Sequence, residues 1–239
     1  MTDQAESDFL AAYQPGRYPP MAVTVDVVLL TLRAGRFSLL LVRRRGHPEK
    51  GKWALPGGFV MADEDLQEAA IRELKEETGI EHLPEGMHLE QLRTYGTPGR
   101  DPRMRVVSVA YVALIAHGGR FPPRPAGDKY AAVAWRPVRG LPGLAYDHAA
   151  VVTTAAERLR AKLAYTNLVY TLLPREFTLG ELQEMYEAIL GRGLDRRNFR
   201  KKILALRLLR PVGRERRGPH RPAALYAFRH RRPMVIQIL

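Results

Sequence analysis

Apolar residues in the first 148 positions come in short runs separated by Gly, Pro and charged residues, a pattern typical of β-strands. The runs at residues 22–32 and 37–44 flank a turn at residues 33–36 and predict a hairpin. Three later runs predict strands at residues 89–95, 105–115 and 131–138. One helix is predicted between the strands, with Asp63 as its N-cap and Gly79 as the left-handed residue that ends it.

From residue 149 onwards the pattern becomes helical. A long helix is predicted over residues 149–173, where Pro174 stops it. Thr178 is the predicted cap of a second helix that Gly191 ends, and Asp195 caps a third, basic helix that runs to near residue 208. Short strands at residues 208–211 and 224–229 flank a tip rich in Arg and Gly. This order of elements is that of a winged helix-turn-helix.

The net charge of +13 is unevenly distributed. Residues 1–150 contain 19 Lys and Arg against 18 Asp and Glu, whereas residues 151–239 contain 19 against 7. This asymmetry indicates a polyanionic partner for the second half only. The sequence has no cysteine, so disulfides and thiolate metal sites are excluded. No signal pattern is visible and no apolar run approaches the ~18 residues of a membrane span, so we expect a cytoplasmic protein without membrane association.

Three glutamates near the end of the first helix carry the clearest chemistry. Glu73, Glu76 and Glu77 fall on one helix face, where like charges at this spacing repel each other and oppose the helix dipole. Folding alone gives no reason for this arrangement, but a hard cation such as Mg²⁺ does, because it takes oxygen ligands. Considered alone, the three glutamates also fit a solvated acidic face paired with Arg72 and Lys75.

The wider spacing decides between these alternatives, because it resembles the Nudix box at every defining position. The matching residues are Gly58, Glu64, Arg72, Glu73, Leu74, Glu76, Glu77, Gly79 and Ile80. The resemblance implies an α/β Nudix sandwich, with a mixed sheet between helices, over residues 21–148. It implies hydrolysis of a nucleoside diphosphate linked to another group, assisted by Mg²⁺ or Mn²⁺. The implied metal ligands are Glu73, Glu76, Glu77 and the Gly57 carbonyl, and Arg72 and Glu64 would orient the helix.

The ligand site is predicted less sharply. Residues 95–111 resemble the ADP-ribose pyrophosphatase-like branch of the Nudix family, which implies phosphate contacts at Arg103 or Arg105 and adenine stacking on Tyr95. Arg43 lies in a basic loop suited to diphosphate oxygens, and Gly58 lets the backbone approach a ligand. The alternative is that these are solvated arginines and a core tyrosine.

Four other polar residues have roles that the sequence leaves open. Asp26 is either a paired core carboxylate or a ligand contact, and Asp128 is a candidate additional carboxylate. The general base is either one of Glu73, Glu76 and Glu77 or a loop acid such as Asp128. Asp147 is a candidate N-cap, and His148 is expected to be a structural partner rather than a catalytic base.

The predicted nucleic-acid contacts lie on the third helix and the wing of the second half. Arg, Asn and Lys near the start of a recognition helix suit base edges in the major groove, and wing arginines suit phosphates. No aromatic platform for RNA bases is visible, so duplex DNA is the expected target. The predicted DNA-binding residues are Arg196, Arg197, Asn198, Arg200, Lys201, Lys202, Arg214, Arg216, Arg217 and Arg221.

A Nudix domain followed by a winged helix resembles the NrtR family of regulators of NAD metabolism. Much of the stretch from Tyr165 to Phe199 is similar to the C-terminal domain of that family, predicted here as an α+β domain over residues 149–239 after a flexible or loosely docked lead-in at 1–20. The resemblance implies a homodimer that binds a palindromic operator and releases it when ADP-ribose or a related nucleotide binds. Because the box is complete, we keep an alternative: a metabolic ADP-ribose pyrophosphatase with a basic dimerisation domain. An enzyme acting on RNA ends is a third, weaker alternative.

Overall fold

The computed structural model describes residues 3–80, 83, 86–116, 123–125, 128–217, 222–236 and 238. It begins with helix α1, Gln4–Ala12, and a 3₁₀ turn at Pro15–Arg17. No residue of either element is buried. The described part of the lead-in therefore contains a helix that contributes nothing to the core of the chain.

Seven strands of the first part of the chain form one mixed sheet. They are β1 (Ala22–Arg33), β2 (Arg36–Arg44), β3 (Trp53–Ala54), β4 (Gly57–Phe59), β5 (His88–Tyr95), β6 (Val106–Leu114) and β7 (Tyr130–Pro137). The sheet has the order β3-β2-β1-β6-β5, with β4 paired to β1 and β7 paired to β2. Among the described strand pairs, β1 and β6 run parallel and the others are antiparallel. Each of the five predicted strands agrees to within one residue at either end, whereas β3 and β4 were too short to predict.

Two helices cover the two faces of this sheet. Helix α2 is Leu66–Thr78 and helix α3 is His148–Tyr165. Val25, Val27 and Leu29 of β1 belong to the core on the α2 side, whereas Val28 and Leu30 belong to the core on the α3 side. Strand β1 reads as a continuous apolar run because both of its faces are covered over residues 24–31, where every side chain is buried.

Helix α2 begins two residues later than the sequence indicated. Its N-cap is Asp65, in a capping box with Glu68, whose carboxylate accepts the Asp65 N–H at 2.9 Å. The prediction of Asp63 was wrong because the chain still turns at residues 62–64, where Glu64 accepts the Met61 N–H. The predicted end is confirmed, since Gly79 has φ of 67°.

Helix α3 is shorter than predicted. It ends at Tyr165 and is followed by a 3₁₀ turn at Leu168–Thr171 rather than continuing to residue 173. The C-terminal segment of the chain pairs with the backbone at this point, as the Ile236 N–H donates to the Tyr165 carbonyl at 2.7 Å. Local sequence does not reveal a contact between residues so far apart in the chain.

The elements of the second part of the chain follow the predicted order, apart from a short first strand that the sequence did not predict. They are β8 (Phe177–Thr178), α4 (Leu179–Leu190), α5 (Arg196–Ala205), β9 (Leu209–Arg216) and β10 (Ala223–Phe228), and the strands form a sheet of order β8-β10-β9. The caps at Thr178, Gly191 and Asp195 are confirmed. Helix α5 ends at Ala205, three residues before the predicted end, and β9 extends five residues beyond the predicted strand into the wing.

One hydrophobic cluster runs through both parts of the chain. It includes Leu39 of β2, Leu159 of α3, Leu182 of α4 and Phe199 of α5. Helix α3 therefore packs on the sheet and also contributes to the core of the winged helix. Within the described residues, no helix combines the length and the apolar character needed to cross a membrane.

Candidate functional site

Arg72 organises the acidic face of α2. Its guanidinium donates to Glu64 Oε1 at 2.5 Å, to Glu73 Oε1 at 2.8 Å and to Glu76 Oε2 at 3.3 Å. It also donates to the Phe59 carbonyl at 3.0 Å, which connects α2 to the end of β4. The hydrogen bonds from Arg72 lower the pKa of Glu64 to about 2, so Glu64 stays ionised. This is the helix-orienting arrangement that the sequence resemblance implied for Arg72 and Glu64.

Glu77 lies on the buried side of the same helix. Lys129 Nζ is 2.5 Å from its Oε1, the Tyr130 hydroxyl donates to the same oxygen, and the Gly57 N–H donates to Oε2 at 3.0 Å. Burial raises the pKa of Glu77 to about 7, against the opposite effect of Lys129, Tyr130 and Gly57. Glu77 therefore has partners at both oxygens.

The donor set on α2 suits a hard divalent cation by chemistry. Glu73, Glu76 and Glu77 offer only carboxylate oxygens, and Glu73 and Glu76 line the cleft described below. Within the described residues, however, no three acidic or His side chains converge on one point. Lys129 and Tyr130 occupy Glu77 Oε1, so a cation that used all three carboxylates would have to displace them from that oxygen.

Gly57 and Gly58 are required by packing rather than by turn geometry. A Cβ on Gly58 would lie 2.3 Å from Glu73 Oε1, and a Cβ on Gly57 would lie 2.1 Å from the Val25 carbonyl. The β4 backbone thus approaches both β1 and the Glu73 carboxylate more closely than any side chain allows.

A cleft of about 390 Å³, called the Nudix cleft below, lies beside this face of α2. Of the predicted residues, it is lined by Gly57, Gly58, Arg72, Glu73, Glu76 and Arg103. Arg103 is fixed by Asp101, whose Oδ2 accepts at 2.7 Å, and it lies 5.2 Å from the centre of the Phe59 ring. The cleft also contains residues that the sequence did not single out, namely Arg44, Arg100, Asp101, Lys129, Tyr130 and Tyr146.

Three predicted ligand residues do not line the Nudix cleft. Arg43 donates to the Gly51 carbonyl at 3.1 Å, and its neighbour Arg44 lines the cleft, because successive residues of a strand point to opposite faces. Tyr95 packs against the core on the α3 side. Arg105 begins the pairing of β1 with β6, as its carbonyl accepts the Ala22 N–H at 3.0 Å. The alternation of Arg43 with Arg44 is the only signal that could have found the correct arginine.

A buried ionic network connects the Nudix cleft to the start of α3. Asp26 accepts from the Ser108 hydroxyl at 2.5 Å, its Oδ1 lies 3.3 Å from His148 Nε2, and its Oδ2 lies 3.4 Å from Arg100 Nη2. Burial alone would raise the pKa of Asp26, but His148, Ser108 and Arg100 together lower it to about 2. Asp26 is thus a paired carboxylate that also lines the cleft.

The first residues of α3 take part in this network. His148 Nδ1 accepts the Leu55 N–H at 2.9 Å, which agrees with its expected role as a structural partner. Asp147 lies at the N-cap position of α3, as predicted, but its side chain makes no capping hydrogen bond and instead accepts from Arg100 at 2.6 and 3.0 Å. Asp128 lies outside the Nudix cleft, where its exposed carboxylate pairs with Arg45 at 3.1 Å.

The second candidate site is the basic face of α5. Its predicted contacts Arg196, Arg197, Asn198, Lys201 and Lys202 are exposed, and Arg200 is half-buried. Phe199 and Ile203 form the opposite, buried face, where the Phe199 ring packs 5.3 Å from that of Tyr186. The apolar spacing therefore turns the basic residues towards solvent.

The wing arginines differ in whether a carboxylate already pairs with them. Arg214 pairs with Glu176, and Arg216 pairs with Glu181, whereas Arg217 is exposed at the end of β9. Arg221 lies outside the described residues. Phosphate contacts by Arg214 and Arg216 would have to replace carboxylate partners.

The NUDIX domain family matches residues 20–155, and the NrtR DNA-binding winged helix domain matches residues 169–228. The chain is 37% identical over 226 residues to the ADPR-responsive transcriptional repressor NtrR of Acinetobacter baylyi, covering 94% of this chain and 88% of that protein. The chain belongs to the NrtR family of Nudix proteins.

Solved structures of NrtR agree with this assignment. The crystal structure of Shewanella oneidensis NrtR complexed with a 27mer DNA matches with a TM-score of 0.71 at 35% identity, over 87% of this chain and 93% of that one. The structure of the NUDIX domain of the same protein with ADP ribose matches with a TM-score of 0.56 at 36% identity, over 64% of this chain and 98% of that one. The fold predicted for both parts of the chain is confirmed.

Proposed function

We propose that this protein is an ADP-ribose-responsive transcriptional repressor that binds duplex DNA through α5 and the β9–β10 wing. The observation that carries the proposal is the similarity to the A. baylyi repressor, which extends over 94% of the chain and so includes both the Nudix cleft and α5. The resemblance to the NrtR family implies that the regulated genes would be those of NAD metabolism. The protein would act in the cytoplasm.

The Nudix cleft suits a nucleoside diphosphate sugar such as ADP-ribose. Arg44, Arg100, Arg103 and Lys129 line it and offer positive charge to a diphosphate. Asp101 holds Arg103 in place, and Asp26 together with Asp147 holds Arg100, so both guanidiniums are preorganised. Preorganised donors lower the entropy that ligand binding costs.

A divalent cation, Mg²⁺ or Mn²⁺, would be held by Glu73, Glu76 and Glu77, with the Gly57 carbonyl nearby. When bound, it would neutralise diphosphate charge and lower the pKa of a bound water. Arg72 would keep Glu73 and Glu76 on the cleft side of α2 through its bonds at 2.8 and 3.3 Å. Glu64 would in turn hold Arg72.

The protein would bind DNA as a homodimer, because two copies of a recognition helix related by a two-fold axis match the two halves of a palindromic operator. Arg196, Arg197 and Asn198, at the start of α5, would contact base edges. Lys201, Lys202 and the wing arginines would neutralise phosphates. ADP-ribose can release the operator only by binding more tightly to the dimer geometry that DNA disfavours.

Selection from a random duplex library, followed by ADP-ribose titration of the selected complex, tests this proposal. We expect one palindromic sequence to be enriched, and we expect ADP-ribose to lower its affinity at least about fivefold, the lower range of allosteric coupling. Arg197→Ala should relax the selected sequence, whereas Lys50→Ala, which removes an exposed charge from the turn between β2 and β3, should not. Enrichment of no sequence would refute specific regulation.

A second candidate function is hydrolysis of ADP-ribose to AMP and ribose 5-phosphate. The complete Nudix box, with Glu73, Glu76 and Glu77 all present, favours it. Release of AMP from ADP-ribose with Mg²⁺ should be measured for the wild type and Glu76→Gln side by side. Turnover that disappears in the variant would establish an enzyme, and saturable binding without turnover would identify a sensor.

A further inference from the structure

A second cleft lies where the two matched parts of the chain meet. This interdomain cleft has a volume of about 520 Å³ and is bordered by the β1–β2 turn, the end of β7 and the C-terminal end of α4. Four arginines line it: Arg36 and Arg139 from the Nudix match, Arg160 from α3 and Arg192 from the turn between α4 and α5. It shares no lining residue with the Nudix cleft.

Two of these arginines are held in place by the backbone of α4. Arg139 Nη2 donates to the Gly191 carbonyl at 2.8 Å, and Arg160 Nε donates to the Ile189 carbonyl at 3.1 Å. A Cβ on residue 191 would lie 2.0 Å from Arg139 Nη2, so glycine is required for this approach as well as for the φ of +72°. A guanidinium has five N–H donors, and each of these two keeps several for a ligand.

The positive charge of the interdomain cleft is not balanced within the described part of the chain. None of the four arginines pairs with a carboxylate there. Glu187 also lines the cleft, but its Oε1 accepts from the Leu194 N–H at 2.8 Å and from Gln183 Nε2 at 2.9 Å. The C-terminus of α4 adds a partial negative charge of only about −0.5, which leaves the lining strongly positive.

We propose that the interdomain cleft binds a phosphorylated ligand of mononucleotide size. Guanidinium groups are the preferred partners of phosphate, and the volume falls within the range of roughly 300–1,000 Å³ for small-molecule sites. Phe37, Pro137, Val138 and Ala188 supply an apolar wall for a base or sugar. Because the arginines come from both parts of the chain, the ligand stabilises this relative placement of the two parts and so shifts the DNA affinity.

Calorimetric titration with AMP and with inorganic pyrophosphate tests the proposal on the full-length protein. The titrations use protein saturated with ADP-ribose in EDTA, so that the Nudix cleft is filled and nothing is hydrolysed. The test variant is Arg36→Ala with Arg192→Ala, two exposed side chains whose removal leaves the α4 contacts intact. The control is Arg33→Ala, which removes an arginine from the same turn, stacked on Trp135 and outside the cleft.

We expect AMP to bind the wild type and the control equally and the double variant at least tenfold more weakly, with unchanged affinity for ADP-ribose. Equal binding by all three proteins, or no binding of either probe at millimolar concentration, would overturn the proposal. The proposal would also be overturned if the double variant changed only DNA binding. In that case the slope of log DNA affinity against log salt concentration would fall by roughly 1–2, because the arginines would contact phosphates of the DNA backbone. The comparison between variants remains readable even if ADP-ribose fails to bind, so this test does not depend on the function proposed above.

Discussion

Arg100 and Asp147 form a direct connection between the Nudix cleft and the helix that leads to the winged helix. The Arg100 guanidinium lines the cleft and lies 2.6 Å from Asp147 Oδ1, immediately before the first residue of α3. Helix α3 then contributes Leu159 and Leu163 to the hydrophobic cluster that contains α4 and α5. A ligand that moves Arg100 therefore acts on an element shared by both parts of the chain.

Asp147→Asn tests this connection. Arg100 keeps Asp26 as a partner, and the introduced amide oxygen can still accept from it, so the variant should fold and bind ADP-ribose within about fivefold of the wild type, the equivalent of ~1 kcal/mol for a neutral acceptor in place of a charged one. The factor by which ADP-ribose lowers DNA affinity should fall about fivefold or more, within the usual ~1–3 kcal/mol of coupling. Fluorescence anisotropy of labelled operator, titrated with the protein in the presence and absence of ADP-ribose, measures this factor. Unchanged coupling would show that the signal does not pass through this pair.

The paired state of Asp26 predicts a pH dependence of stability. Its pKa is lowered from 3.8 to about 2, so the folded state binds its proton more weakly than the unfolded state does. The stabilisation is therefore present above pH 4 and is lost as the pH falls towards 2, with a magnitude of roughly 2 kcal/mol. Urea unfolding of the wild type and of Asp26→Asn between pH 2 and 6 checks this sign.

In Asp26→Asn we expect the acid-sensitive component to disappear and stability at pH 7 to fall by about 3 kcal/mol, because Arg100 and His148 lose a buried charge partner. Ser38→Ala serves as a control for a buried polar side chain outside the network, with one hydrogen bond to a backbone carbonyl. Stability profiles of wild type and Asp26→Asn that run parallel down to pH 2 would contradict the assignment.

Periodicity and capping predicted most of the fold, because strands buried on both faces and helices with Asp, Thr and Gly caps leave strong local signals. Gly79, Thr178, Gly191 and Asp195 are examples in which one residue determines one boundary. The end of α3 escaped prediction because it depends on hydrogen bonds with residues near 236.

The residues of the Nudix cleft also differed in how far the sequence could predict them. The α2 residues Arg72, Glu73 and Glu76 were predictable because fixed spacing on one helix determines their common face. Lys129 and Arg100 come from loops that only the folded sheet brings to Glu77 and Asp26. Arg43 was chosen over Arg44 because residue type does not distinguish neighbours in a run of three arginines, and only the alternation of side chains along the strand separates the two.

Gly58 leaves no room for a side chain unless the Glu73 carboxylate moves. In Gly58→Ala the new Cβ would meet Glu73 Oε1 at 2.3 Å and its Cδ at 2.5 Å, which forces the carboxylate away from Arg72. We expect a loss of roughly 1–3 kcal/mol of stability, the usual cost of overpacking, and at least tenfold weaker ADP-ribose binding. Gly46→Ala is the matched control, because nothing lies within 4 Å of its added Cβ. Thermal melting and calorimetry compare the two, and equal behaviour would refute the packing argument.

Lys129 should compete with a cation for Glu77. Its ammonium lies 2.5 Å from Glu77 Oε1, so Lys129→Gln removes a positive charge beside the predicted metal ligands. Mn²⁺ affinity, measured by electron paramagnetic resonance without nucleotide, should rise about tenfold, because solvent screens the largely exposed ammonium and leaves an interaction of only ~1 kcal/mol. Lys52→Gln, in a pair with Glu49 at the surface, should leave Mn²⁺ binding unchanged. Weaker Mn²⁺ binding by Lys129→Gln would mean that Lys129 supports the metal site instead.

Because Arg214 pairs with Glu176, part of the positive charge of the wing is neutralised in the absence of DNA. A phosphate must displace the Glu176 carboxylate before Arg214 can bind it, so Glu176→Gln should strengthen DNA binding about two- to fivefold, in line with the ~0.2–1 kcal/mol of an exposed ion pair. The gain should appear on every sequence and should steepen the salt dependence by up to about one phosphate contact. Glu184→Gln removes an equal negative charge from the exposed side of α4, where no arginine pairs with it in the described structure. If both variants gain equally, net charge alone explains the effect, and Arg214 then has no special part in DNA binding.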